Sequence, residues 1–159
     1  MLDFEKIFSE NHQFIFRFLM KLCGDAPLAE ELTQECFFRA YMNISALRDE
    51  KKLSVWLCQI AKNTYFAWFN AQKRHQPMTE AIVSDSTPDI AELFEGKELA
   101  GRAFSILYAL EEPYKEVFTL FVFGGLSLKN ISSMFGKSES WARVTYYRAK
   151  HKIMEGLGI

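Results

Sequence analysis

Phe4, Ile7, Phe8, Phe14, Ile15, Phe18, Leu19 and Leu22 recur at the three- and four-residue spacing that lines up one face of a helix. The pattern predicts a first helix from about Asp3 to Cys23. It stops at "GDAP", where Gly24 can close one helix and Pro27 can open the next. A second helix is expected near Pro27 to Asn43, with Leu28, Leu32, Cys36 and Phe37 on one side and Glu31, Gln34, Glu35 and Phe38 around the others. Its acidic early turns suit the positive end of the helix dipole. After the charged loop "SALRDEKK", the residues Leu53, Trp56, Leu57, Ile60, Ala61, Thr64 and Trp68 mark one stripe of a third helix ending at about His75. Three helices with such faces close into a bundle. Phe66 and Phe69 lie off the stripe, and either the first helix or a partner would account for them.

The pattern breaks from Pro77 to Glu98, which holds two prolines, a "SDST" cluster, six acidic residues and a single Lys. This composition reads as a linker. Beyond it, "LAGRAFSILYAL" and "PYKEVFTLFVF" are two short apolar helices, and "SMFGKSESWARVTYYRAK" has the punctuation of a helix, a glycine turn and a second, basic helix. Ser127 can cap the first of that pair, Gly136 can end it, and Ser138 can cap the next. Ala142, Tyr146, Ala149 and Ile153 then face inward, leaving Arg143, Val144, Tyr147, Arg148 and His151 outside. The fold class is all-α, two small helical domains at 1–76 and 99–159 joined by an acidic linker at 77–98. The residues of the last pair fit two readings, a helical hairpin with a solvated basic face or a helix-turn-helix that places Arg side chains in a DNA major groove.

A formal net charge of −1 over 159 residues is unusual for a chain that holds DNA alone. The total conceals two basic zones, because residues 44–76 and 126–159 each carry six basic and two acidic side chains. A hydrophobic content of 49% argues for a folded chain. No apolar run approaches bilayer length and the start "MLDFEKIFSE" is unlike a signal peptide, so a cytoplasmic location without membrane insertion is expected. Cys23, Cys36 and Cys58 are widely spaced in apolar surroundings, as buried thiols would be. His12, His75 and His151 are isolated, and no nucleophile, phosphate-loop or metal-ligand motif is present. No enzymatic activity, cofactor, metal or small-molecule substrate is therefore expected.

With these features in order along the chain, the sequence resembles bacterial RNA polymerase sigma factors of the extracytoplasmic-function class. The signatures are "LAEELTQECFFRAY" (Leu28 to Tyr41), "VWLCQIAKNT" (Val55 to Thr64) and "LEEPYKEVFTLFVFGGLSLKNISSMFGKSESWARVTYYRAKHKI". The resemblance implies core polymerase, through its β and β′ subunits, and promoter DNA as partners, with an anti-sigma factor as a further partner open to it. It implies core-polymerase contacts at Glu31, Leu32, Gln34, Glu35 and Phe38. Minus-10 contacts are implied at Arg48, Lys51, Lys52, Trp56, Lys62, Asn63, Lys73 and Arg74, with Trp56 also suited to core packing. Minus-35 contacts are implied at Ser140, Trp141, Arg143, Val144, Tyr147 and Arg148, with Lys152 expected on phosphate. Phe121 and Thr145 depart from the family pattern, standing where basic residues are common. A stand-alone helix-turn-helix regulator and a degenerate sigma-like adaptor are the competing readings, and Phe121 and Thr145 best support the second. In a sigma factor, the core enzyme would supply most phosphate contacts, which answers the low net charge.

Overall fold

A computed structural model describes residues 3–75 and 97–159, and the side chains of all of these except 73–75 and 97. Most of the expected linker therefore lies outside the described residues. Helix α1 spans Phe4–Cys23. The Asp3 carboxylate accepts from the Glu5 amide at its start, and Gly24, at φ 67°, closes its end by donating to the Met20 carbonyl. Helix α2, Ala26–Met42, starts at Asp25, whose carboxylate accepts from the Leu28 amide. Two short 3-10 turns, Ile44–Ala46 and Glu50–Lys52, carry the charged loop into α3, Leu53–His75.

The three helices bury Ile15, Phe18, Leu19 and Leu22 of α1 against Leu32, Cys36 and Phe37 of α2 and Leu57 and Ala61 of α3. Each fully buried large apolar side chain contributes about 1.5–3 kcal/mol relative to exposure. The cysteines are buried thiols as expected, and burial pushes Cys36 up to about 12. Phe8 departs from the inward stripe. It lies at the rim, 39% exposed, with its ring edge-on to Phe37 at 5.0 Å.

The second unit comprises α4 (Lys97–Ala109), α5 (Tyr114–Val122), α6 (Leu128–Met134) and α7 (Glu139–Leu157). Val117, Phe118 and Leu120 of α5 meet Ala142, Tyr146, Ala149 and Ile153 of α7, all inward as their spacing predicts. No strand occurs among the described residues, and none of their helices is long and apolar enough to cross a membrane.

The two units are packed together, and α3 is buried on two sides. Besides its first stripe it carries a second at Val55, Gln59, Lys62, Phe66 and Phe69, spaced four, three, four and three residues apart. This second stripe faces the other unit: Phe69 meets Tyr108 at 4.4 Å and Phe104 at 5.9 Å, and Phe66 meets Tyr108 at 5.6 Å. Lys115 lies over the Phe66 and Tyr108 rings, where desolvation holds its pKa below the ordinary lysine value. Asn70 accepts from the Tyr108 hydroxyl at 2.8 Å. Gly124 reaches α1, and a Cβ there would stand 2.6 Å from the Leu120 carbonyl oxygen and 3.4 Å from the Phe18 ring.

Candidate nucleic-acid and polymerase interfaces

The helix-turn-helix is built by three local devices. The Ser127 hydroxyl accepts from the Asn130 amide at 3.0 Å, Gly136 turns the chain at φ 66°, and the Ser138 hydroxyl accepts from the Trp141 amide at 3.1 Å. Helix α7 consequently presents Ser140, Arg143, Val144, Tyr147 and Arg148 on its exposed face. Tyr147 is 59% exposed, and Arg143 pairs with Glu139 one turn earlier at 3.6 Å. Such an exposed ion pair contributes about 0–1 kcal/mol, so the guanidinium is readily redirected to a stronger partner.

Two expected minus-35 residues lie elsewhere. Trp141 is half-buried with its ring 5.3 Å from Phe135, because the glycine turn folds α6 back beneath the start of α7. Lys152 turns away from the exposed face, toward the Tyr114 ring at 5.0 Å and Glu111 at 3.9 Å. Lys137 is exposed in the turn between α6 and α7.

Of the two departures from the family pattern, one is buried and the other half-buried. Thr145 is 5% exposed, and Phe121 packs edge-on against Tyr146 at 4.7 Å. Thr145 does not reach the exposed face of α7, and Phe121 belongs to α5, so neither occupies a position on that face. The adaptor reading loses its best support.

On α2, Glu31, Gln34 and Glu35 are exposed together, with Glu35 accepting from Arg39 at 3.0 Å. Phe38 is 61% exposed beside them. Leu32 differs from its expected contact role, since it is buried and forms the floor of a groove of about 340 Å³ between α2 and α3. Tyr41 and Met42 extend the exposed apolar surface beyond Phe38. Sequence reasoning misses both, although their three- and four-residue spacing from Phe38 is a signal that could find them.

The expected minus-10 residues are scattered. Arg48 and Lys51 are exposed on the loop, and Asn63 is exposed on α3. Trp56 is half-buried against the core, in keeping with a packing role. Lys52 donates to the Ser133 carbonyl at 3.2 Å. Lys62 departs furthest from the expectation of an accessible DNA contact. Its side chain is 5% exposed, with the ammonium 3.5 Å from Glu112 and 3.4 Å from Glu116, because the face of α3 that carries it is covered by α5. Lys73 and Arg74 fall on the last turns of α3, their side chains outside the described residues.

An all-helical pair of units, the second with a capped helix-turn-helix and a basic exposed helix face, defines a DNA-binding regulator. Residues 7–75 match the family model for Sigma-70 region 2, and residues 105–153 match that for Sigma-70, region 4. The ECF RNA polymerase sigma factor SigM of Bacillus subtilis is 26% identical over 156 residues, covering 96% of this chain and 93% of that protein. The ECF RNA polymerase sigma-E factor of Haemophilus influenzae is 28% identical over 136 residues, covering 77% of this chain and 71% of that protein. In fold, the chain is similar to the sigma factor RpoE crystallised with the anti-sigma factor NepR from Bartonella quintana, at a TM-score of 0.57 and 18% identity, with 99% and 98% of the two chains covered. The chain belongs to the sigma-70 family of RNA polymerase sigma factors, in the extracytoplasmic-function class.

Proposed function

We propose that residues 1–76 bind core polymerase and melt the minus-10 element, that 77–98 tether the two halves, and that 99–159 read the minus-35 element. The chain acts in the cytoplasm, contributes no catalysis of its own, and takes core polymerase and promoter DNA as its partners, with an anti-sigma factor as a further partner open to it. The observation that carries this reading is the exposed face of α7, where Arg143, Val144, Tyr147 and Arg148 stand together behind the Ser138 cap. Arg offers paired hydrogen bonds to guanine, and Tyr offers apolar contact to a thymine methyl. Transcription in vitro with purified core polymerase on a genomic DNA library tests it. Transcripts that depend on the chain and share an upstream element are expected, whereas tight promoter binding by the chain alone with no transcript would establish a stand-alone regulator.

Core binding rests on the Glu31, Gln34 and Glu35 face together with Phe38. Carboxylates there accept charge-assisted hydrogen bonds from a basic partner surface, and exposed Phe38 supplies apolar area. Glu35→Lys is expected to weaken binding to core polymerase at least tenfold, about 1.4 kcal/mol, while circular dichroism stays unchanged. Unaltered co-purification with the core would remove the assignment.

Melting is assigned to 45–52 with Asn63, since an exposed loop beside a helix accepts an extruded base that a packed helix excludes. With a Gly/Ser segment in place of Ser45 to Lys52, holoenzyme is expected to form closed complexes and to lose permanganate-reactive thymines. Normal reactivity would move the melting site elsewhere.

A further inference from the structure

Two cations of the basic 44–76 zone are held by acceptors of the opposite unit. Lys62 is surrounded by Glu112 and Glu116, and Glu116 is itself anchored by the Gln59 side-chain amide at 2.9 Å. Lys52 meets the Ser133 carbonyl, in the last turn of α6, where the dipole of a helix is negative. A lysine side chain this buried is tolerated only when paired. Its partners are arranged as a fixed anion: one Glu112 oxygen accepts from the Glu116 amide at 2.9 Å while the other faces Lys62.

Burying an ion pair roughly breaks even against desolvation, so such a pair specifies an arrangement more than it stabilises one. Glu112 also remains half exposed, so water and competing ions reach the pair from its side. DNA phosphate offers Lys62 the same charge and the same acceptor oxygens. The aromatic contacts around Phe66 and Phe69 hold the units together without regard to charge, whereas the ion pair makes the closure sensitive to a polyanion.

Resting on the promoter function proposed above, we propose that Glu112 and Glu116 form an intramolecular latch. They stand in for DNA phosphate on Lys62 and hold the second unit over the face of α3 that carries it until nucleic acid displaces them. Free chain is then closed and binds DNA weakly, and the same ammonium serves both states.

The test uses the full chain without polymerase, measuring the radius of gyration by X-ray scattering and affinity for single-stranded A+T-rich DNA by anisotropy. Glu112→Gln with Glu116→Gln keeps the shapes of both side chains and removes their charge. This double variant is expected to expand the chain and to raise DNA affinity on the order of tenfold, with a steeper salt dependence. A charge exchange, Lys62→Glu with Glu116→Lys and Glu112→Gln, restores an attractive pair with no like charge beside it but removes the phosphate ligand. It is expected to stay as compact as wild type and to bind DNA no better. Unchanged scattering and unchanged DNA affinity in the glutamine variant would overturn the latch, as would an exchanged variant that is expanded. Wild-type chain assayed with core polymerase separates the two ideas: absence of any transcript there defeats the promoter function, while scattering and DNA binding still decide the latch.

Discussion

Phe118→Ala is expected to unfold the DNA-reading unit. Phe118 is fully buried on α5, its ring 5.7 Å from that of Tyr146 on α7, so truncation empties the space directly behind the exposed face that carries Arg143 and Tyr147. Replacing a buried Phe by Ala costs about 3–5 kcal/mol, from lost transfer energy and from a cavity the surroundings only partly refill. A core in a unit this small rarely supplies more than about 3–5 kcal/mol in all, so the loss takes most of what there is. Chemical denaturation followed by circular dichroism should show part of the helical signal lost at lower denaturant than in wild type, and holoenzyme should lose its dependence on the upstream promoter element. A loss below about 1 kcal/mol would mean that the packing around Phe118 is not what holds α7 in place.

The second large effect is in recognition. Arg143→Ala is expected to leave the fold intact, because the side chain is exposed and its ion pair with Glu139 is worth little at the surface. It should cost about 1–3 kcal/mol of promoter affinity, concentrated at one base position, since a base-reading Arg carries sequence information and a phosphate-reading Lys does not. Arg143 and Tyr147 are one turn apart, which under the proposed reading sets them on neighbouring bases, whereas Arg148 lies about 140° around the helix from Arg143, so the two arginines would straddle the groove. Lys137→Ala is the matched control, weakening all promoter variants alike. Selection of promoter variants by the two mutant holoenzymes decides the matter, and identical preferences for Arg143→Ala and wild type would defeat the major-groove assignment.

Much of the DNA-reading surface is legible in the amino-acid sequence. Its cap at Ser138, its glycine turn and its inward residues are all set by interactions within a few positions of one another. The face proposed for polymerase is legible for Glu31, Gln34, Glu35 and Phe38, because a helix with one apolar side must expose the other. Leu32 is the exception, since it sits at the boundary of the two sides, where a groove floor and a contact surface look alike. The minus-10 group is the least legible. Charge announces that Lys52 and Lys62 are cations in a basic zone, but a cation carries no record of which anion it will meet.

Local pattern alone settled the helices, the caps at Ser127 and Ser138, the turns at Gly24 and Gly136, and the division into two helical units. Hydrogen bonds a few residues apart and the 3.6-residue repeat determine these without reference to the rest of the chain. Tertiary packing decided which element covers each face. It set Phe66 and Phe69 of α3 against Phe104 and Tyr108, turned Thr145 inward, left Phe8 at the rim and enclosed Lys62 between Glu112 and Glu116. Two aromatic residues off the first stripe of a helix state that something must cover them. What covers that face here is a segment some fifty residues distant, as Lys62 and Glu112 show, chosen by complementarity of shape and charge across the whole fold.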